Sequence, residues 1–61
     1  SDREFQTLRM IASGRTPGQI AETLNISVKT VSVYRARLLE KMNMRNNAEL
    51  THYGVRHNLV E

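Results

Sequence analysis

The chain has 61 residues, no cysteine, a net charge of +3 and a pI near 10.0. A chain this short buries only about 60% of its unfolded surface and leaves no room for a deep substrate cavity, which disfavours an enzyme. Without cysteine there is no disulfide or thiolate site, so we expect a reduced, cytoplasmic protein, and no apolar run is long enough for a membrane span or a signal peptide.

The first predicted helix covers residues about 2–13. Ser1-Asp2-Arg3-Glu4 fits a capping box, in which the Ser1 hydroxyl accepts from a first-turn amide and Glu4 reaches back. Gly14 ends the apolar stripe that follows. The stripe consists of Phe5, Leu8, Ile11 and Ala12. Because a helix start falls on the first residues, we expect the chain to be a fragment of a longer protein.

The second predicted helix covers residues about 17–24. Thr16 is its cap, Pro17 occupies the first helical position, where its missing amide costs nothing, and Gln19 closes a second capping box. The residues predicted to be buried are Ile20, Ala21 and Leu24.

The third predicted helix covers residues about 28–43, with Val31, Leu38 and Met42 along its buried seam and Tyr34 partly buried. Asn25 tolerates the left-handed conformation that a sharp turn requires, and Ser27 can cap the next helix. Two helices joined by so short a turn must cross steeply.

The excess positive charge lies in this third segment. Residues 27–45 carry a net charge of +4 and the rest of the chain −1. At about 100° per residue, the helix face opposite the seam consists of Lys29, Ser32, Val33 and Ala36. One flank carries Thr30, Arg37 and Lys41. Small side chains between long cations suit a helix lying in a DNA major groove, about 12 Å wide with phosphates on both rims, although an ordinary solvated face is the alternative.

The fourth predicted helix covers residues about 47–57, with Asn46 and Glu49 as its start signal and Asn58 as its stop. Leu50 and Leu59 should complete the core. Gly54 costs roughly 1 kcal/mol inside a helix, which indicates a close backbone approach to the first helix or to a partner. The remaining face is a candidate dimer surface or an ordinary solvated face, and it consists of Thr51, His52, Val55 and Arg56.

No other group of residues in the sequence indicates a metal site, a phosphate-binding loop or a catalytic site. His52 and His57 are five residues apart and point in different directions on a helix, so we expect no metal site. The segment 14–18 contains two glycines but lacks the Gly-Lys-Ser/Thr ending of a phosphate loop. Serine, histidine and aspartate are present without a cleft around them, so we expect no catalytic residues and no cofactor.

Taken together, the sequence predicts an all-α, four-helix bundle, and its residues resemble a known family at matching spacing across nearly the whole chain. The matching residues are Arg3, Glu4, Leu8, Ile11, Ala12, Gly14, Ile20, Ala21, Leu24, Asn25, Ser27, Lys29, Thr30, Val31, Tyr34, Leu38, Lys41 and Met42. The family that they resemble is the LuxR/FixJ/NarL-type helix-turn-helix at the C-terminus of many bacterial transcription factors. The segments 49–52 and 56–57 further resemble the GacA/UvrY subgroup of response regulators.

The resemblance implies a helix-turn-helix made by the second and third helices, with the third in the DNA major groove and the fourth pairing two protomers. It implies base contacts by Ser32, Val33 and Ala36. It implies backbone contacts by Lys29, Thr30, Arg37 and Lys41. Some relatives place long cations at the base-facing positions, whereas Val33 and Ala36 offer only apolar contact, for instance to a thymine methyl.

As a whole, the resemblance implies one LuxR-type DNA-binding domain, residues 1–61, from a response regulator whose receiver or sensor domain is absent from this chain. The implied partners are double-stranded DNA, a second copy of the chain on DNA, and RNA polymerase. No membrane or small-molecule substrate is expected. The alternative is a protein-interaction module that docks the basic helix on an acidic protein, with Tyr34 or Leu39 among its strongest contacts. RNA binding is disfavoured because only three aromatic residues are available for stacking.

Overall fold

The computed structural model describes residues 2–61, which form four helices and no strand. The helices are α1 (Asp2–Ala12), α2 (Pro17–Leu24), α3 (Val28–Lys41) and α4 (Asn47–Arg56). The predicted all-α architecture is confirmed. Three of the helices end one or two residues earlier than predicted, because the chain already turns at those residues. The capping box predicted at the start of α1 depends on Ser1, which lies outside the described residues.

Side-chain caps begin the last three helices. At α2 the Thr16 hydroxyl accepts from the Gln19 amide and the Gln19 side chain accepts from the Thr16 amide at 2.9 Å, a complete capping box. The Ser27 hydroxyl accepts from the Thr30 amide at the start of α3, and the Asn46 side chain accepts from the Glu49 amide at the start of α4. All three predicted caps are confirmed.

Each helix is followed by a residue in the left-handed backbone conformation. Asn25, Asn43 and Asn58 adopt φ values of 55–57° after α2, α3 and α4, and Gly14 adopts 86° after α1. Few residues other than glycine and asparagine adopt this conformation at low cost. The chain therefore changes direction at four defined positions, and the link between α2 and α3 spans only residues 25–27.

Helix α1 is central to the packing, because it contacts all three other helices, while α2 packs on α3. The two residues predicted as the centre of the α3 seam, Val31 and Leu38, are 2% and 6% exposed. Leu50 is fully buried and Leu59 is half-buried against the core, as predicted. The buried core consists of Leu8, Met10, Ile11, Ile20, Ala21, Val31, Leu38 and Leu50.

The buried face of α1 differs from its predicted apolar stripe. Phe5 is 46% exposed, whereas Glu4 and Thr7 are buried. The Thr7 hydroxyl donates to the Arg3 carbonyl at 2.8 Å and the Glu4 carboxylate accepts from Lys41, so both polar side chains are satisfied. Glu4 precedes the buried residues Thr7 and Leu8 by three and four positions, so it lies on the same face of α1. Phe5 was predicted to lie on that buried face and does not.

Helices α1 and α4 approach each other closely at Gly54. A Cβ built at this position would overlap the Cβ of Ala12. Gly54 is buried, and its carbonyl accepts from the Leu59 amide at 2.8 Å. The predicted close approach to the first helix is confirmed.

The residues after α4 fold back over the end of α1. Arg9 donates to the Leu59 carbonyl at 3.0 Å, and the Glu61 amide donates to the Ser13 hydroxyl at 2.7 Å. Arg15 lies 3.5 Å from the Glu61 carboxylate. The C-terminal residues are thereby held against the last turns of α1 and the turn that follows it. Across residues 2–61, no helix has the length and apolar character needed to cross a membrane.

Candidate nucleic-acid interface

Helix α3 has one buried face and one exposed face. Val31 and Leu38 anchor it to the core, and Leu39 and Met42 pack partly against the same cluster. All three residues proposed from the sequence to meet base edges, Ser32, Val33 and Ala36, are exposed. The structure thus places these three side chains together on the outside of the domain.

The exposed face combines short side chains with an apolar centre. Val33 is 42% exposed, so an apolar side chain faces outward between Ser32 and Ala36. Ser32 and Ala36 add little bulk, so a surface can approach the α3 backbone closely here. With 14 residues, α3 is about 21 Å long, enough to present this face across several base pairs of a groove.

The four residues proposed to contact a backbone do not share one environment. Lys29, Arg37 and Lys41 are exposed, whereas Thr30 is half-buried. The Thr30 hydroxyl lies 2.9 Å from the Ser27 hydroxyl, so it takes part in the start of the helix. The three cations follow the exposed side of α3 from its first turn to its last residue.

Lys41 makes an ion pair that the sequence interpretation did not include. Its Nζ donates to Glu4 Oε1 at 2.7 Å, and the two side chains are 62% and 9% exposed. The hydrogen bond from Lys41 lowers the pKa of the Glu4 carboxyl below its ordinary value, although burial opposes this, and the charges of Lys41 and Arg37 act in the same direction as the hydrogen bond. Glu4 is therefore charged near neutral pH and faces the cationic flank of α3.

The signal for this pair was present in the sequence. Glu4, Leu8 and Ile11 are spaced i, i+4, i+7, which places them on one face of a helix. A carboxylate on a buried stripe requires a cation or several donors. The sequence could not identify that cation, because Lys41 is 37 residues away along the chain.

Arg35 connects α3 to α4. It is half-buried, and its Nη1 lies 3.4 Å from Oδ1 of Asn47, the first residue of α4. Arg35 therefore helps to hold the loop between the two helices, and it is less available than Arg37 for an external ligand.

The outer surface of α4 carries the proposed dimer residues. His52, Val55 and Arg56 are exposed, and Thr51 is half-buried. Val55, at 60% exposure, is the most exposed of the large apolar residues. An open groove of about 550 Å³ runs between this surface and the α3–α4 loop, with His52, Tyr53 and Arg56 on one wall and Met42 and Met44 on the other. The sequence interpretation did not include this groove.

Within residues 2–61 no group of three histidine, cysteine or acidic side chains is placed to hold a metal ion. The ring of His57 lies 4.2 Å from that of Tyr53, whereas His52 lines the groove and His57 does not. The two histidines thus point to different surroundings, as their spacing predicted.

Comparison with known proteins identifies this arrangement. The family model described as "Bacterial regulatory proteins, luxR family" matches residues 1–54. The chain is 46% identical over 59 residues to the response regulator UvrY of Escherichia coli strain K12, covering 97% of this chain and 27% of the relative. It is 36% identical over 61 residues to the oxygen regulatory protein NreC of Staphylococcus carnosus, covering 100% of this chain and 28% of the relative.

NreC of Staphylococcus epidermidis is 38% identical over the same length, with the same coverage. The chain thus spans less than a third of the length of these relatives. The match is to regulatory proteins rather than to an enzyme family, and it extends across all four helices to Gly54. On this evidence the chain belongs to the luxR family of bacterial regulatory proteins.

Proposed function

We propose that this domain binds double-stranded DNA sequence-specifically, with α3 in the major groove, as part of a bacterial transcriptional regulator. The observation that carries the proposal is the exposed face of α3, where short side chains are bordered by exposed cations on a helix whose opposite face is fixed in the core. Family membership supports the same role.

In this proposal, base edges are contacted by Ser32, Val33 and Ala36. Ser32 can exchange one hydrogen bond with a base, and the two apolar side chains can contact a thymine methyl. The phosphate rims are contacted by Lys29, Arg37 and Lys41. Thr30 contributes through the start of α3, because its hydroxyl is already bonded to Ser27. Contacts to phosphate position the helix, and contacts to bases select the sequence.

Pairing of two protomers on DNA is assigned to the outer face of α4. That face contains Thr51, His52, Val55 and Arg56, and Val55 is its apolar centre. One apolar residue among polar ones supports only weak association without DNA. Each protomer would occupy one half-site, and two helices related by two-fold symmetry meet the major groove about one helical turn apart.

The whole protein is proposed to be a two-component response regulator with an N-terminal receiver domain. The response regulator UvrY, of which this chain spans 27% of the length, supports that assignment. A regulator of this kind acts in the cytoplasm on DNA and on RNA polymerase. This domain would supply the DNA contact, and the receiver would supply the signal.

Selection from a pool of random duplexes tests the proposal. The domain is titrated against the pool, bound duplexes are sequenced, and affinity for the enriched site is followed across salt concentrations. We expect a two-fold site with half-sites about ten base pairs apart and a log–log salt slope near −0.9 for each phosphate contact.

Two other outcomes would contradict this reading. Binding that depends on salt concentration but not on DNA sequence would show that α3 does not select base pairs. No binding at low salt would favour docking of α3 on an acidic protein. That second candidate has less surface to use, because Tyr34 and Leu39 are half-buried and Leu39 packs against the core.

A further inference from the structure

We propose that Glu4 is a positioning residue for DNA binding, because it holds the Lys41 ammonium at the end of α3 in place for a phosphate. The inference rests on the proposed function and adds to it a residue outside the helix-turn-helix. Glu4 is an unexpected participant, since a carboxylate near a DNA surface repels phosphates.

The geometry gives Glu4 a fixed position. Its side chain is 9% exposed and belongs to α1, which packs against every other helix. Lys41 by contrast is 62% exposed, and its Nζ lies 2.7 Å from Glu4 Oε1. A long, exposed side chain is therefore bound at its tip by a buried one.

Lys41 keeps the capacity to bind a second anion. An ammonium group has three N–H donors, and one of them is directed at Glu4. The remaining donors and the exposed side chain are available on the outer side of α3. An unrestrained lysine loses rotamer freedom when it binds phosphate, and a lysine already held by Glu4 loses less.

Arg37 adds a second reason for the carboxylate. Arg37 and Lys41 lie four residues apart on α3, where two like charges destabilise a helix. The Glu4 carboxylate faces this pair, and its negative charge offsets the repulsion between them. Both cations can then remain on one flank of α3.

Positioning and simple charge attraction predict opposite results for one substitution. Glu4→Met removes the acceptor, fits a buried helical site and raises the net charge from +3 to +4. If charge alone mattered, DNA affinity would rise. If Glu4 positions Lys41, affinity should fall by about two- to tenfold, and the salt slope should become shallower as the Lys41 contact is lost. Glu40→Gln is the matched control, since it removes one negative charge from the same end of α3 and should leave binding unchanged or tighter.

The experiment measures affinity for the selected duplex, across salt, for the 61-residue domain and four variants. Lys41→Ala should weaken binding and reduce the salt slope by about 1, and adding Glu4→Met to Lys41→Ala should weaken it no further. Urea unfolding of each variant checks that the variant is folded under the conditions in which its DNA affinity is measured. Should Glu4→Met fail to fold, Glu4→Asp keeps the charge but withdraws the carboxylate by one methylene, and it should weaken binding in the same direction.

The possible failures are distinguishable. If Glu4→Met or a folded Glu4→Asp binds as tightly as the unmodified domain, positioning by Glu4 is refuted and the proposed function stands. If Lys41→Ala binds DNA as tightly as the unmodified domain, Lys41 contacts no phosphate, and this part of the proposed function fails together with the inference. If the unmodified domain binds no duplex, the proposed function itself is refuted.

Discussion

Gly54→Ala should destabilise this domain, although alanine is the better helix former. Gly54 lies inside α4 and faces α1, where a Cβ would overlap the Cβ of Ala12. The Ala12 methyl is attached directly to the α1 backbone and has no rotamer to change. The overlap can be relieved only by moving the two helices apart.

The size of the effect follows from two opposing terms. Replacing glycine by alanine inside a helix stabilises by about 1 kcal/mol. Overpacking of a well-packed contact costs about 1–3 kcal/mol, and the upper half of that range applies because both partners are fixed to backbone. The expected net loss is about 1–2 kcal/mol, and each kcal/mol lowers the melting temperature of a domain of this size by about 4–8 °C.

Thermal and urea unfolding followed by circular dichroism measure the loss, and two further variants test its cause. Gly18→Ala is the matched control, because its Cβ would come no closer than 3.9 Å to another atom, the Thr16 hydroxyl oxygen, so it should be neutral or stabilising. Ala12→Gly removes the overlap, so adding Gly54→Ala to it should cost nothing. If Gly54→Ala destabilises equally in the Ala12→Gly background, steric overlap is not the reason for this glycine.

The remaining predictions concern the interface, a cap and the buried acid. Arg37→Ala should weaken binding to all duplexes and reduce the log–log salt slope by about 1, as measured by titration at several salt concentrations; an unchanged slope would exclude a phosphate contact. Ser32→Ala and Val33→Thr should instead change which base pairs are enriched in a duplex selection, and identical enriched sites would exclude base reading by these positions. Asn46→Ala removes the α4 cap and should cost about 1 kcal/mol in urea unfolding, a loss that Asn46→Ser should largely restore. Because the pKa of Glu4 is lowered, its charged carboxylate stabilises the fold above the ordinary pKa of 4.5, and this contribution is lost as pH falls through the lower folded-state pKa. The free energy of unfolding of Glu4→Gln, measured in urea at several pH values, should therefore fall less on acidification than that of the unmodified domain. Equal falls would contradict the pairing of Glu4 with Lys41.

Local signals in the sequence predicted most of the fold. Thr16, Ser27 and Asn46 each bind the amide three residues on, so the cap and its partner are close in the sequence and can be identified without the fold. The asparagines that end α2 and α4 were predicted for the same reason. Gly54 was informative because its cost within a helix requires compensation by a close contact.

The features that were missed depend on contacts between distant residues. Phe5 and Glu4 are neighbours, and which of them lies on the buried face depends on how α1 is rotated against α3 and α4. The rotation observed places Glu4 beneath Lys41 and leaves Phe5 at the surface. The groove beside α4 likewise forms only when the α3–α4 loop packs near Tyr53.

The candidate interface was partly predictable. Exposure of the small residues on α3 followed from the position of the seam, and the structure places them outside as expected. The role of each polar side chain did not follow, since Thr30 is engaged with Ser27 and Arg35 lies near Asn47. A charge or hydroxyl on the outside of a helix can bind its own chain, and the sequence does not distinguish this from binding a ligand.

Because the buried and exposed faces of α3 consist of different residues, the exposed face can evolve separately from the core. Val31 and Leu38 hold the helix, and neither lies on the exposed face with Ser32, Val33 and Ala36. Exposed substitutions away from caps and buried contacts usually alter stability by no more than about 0.5 kcal/mol. Mutations on that face can therefore accumulate while the domain still folds, so that copies of one scaffold can diverge in the surface they present without first acquiring compensating changes in the core.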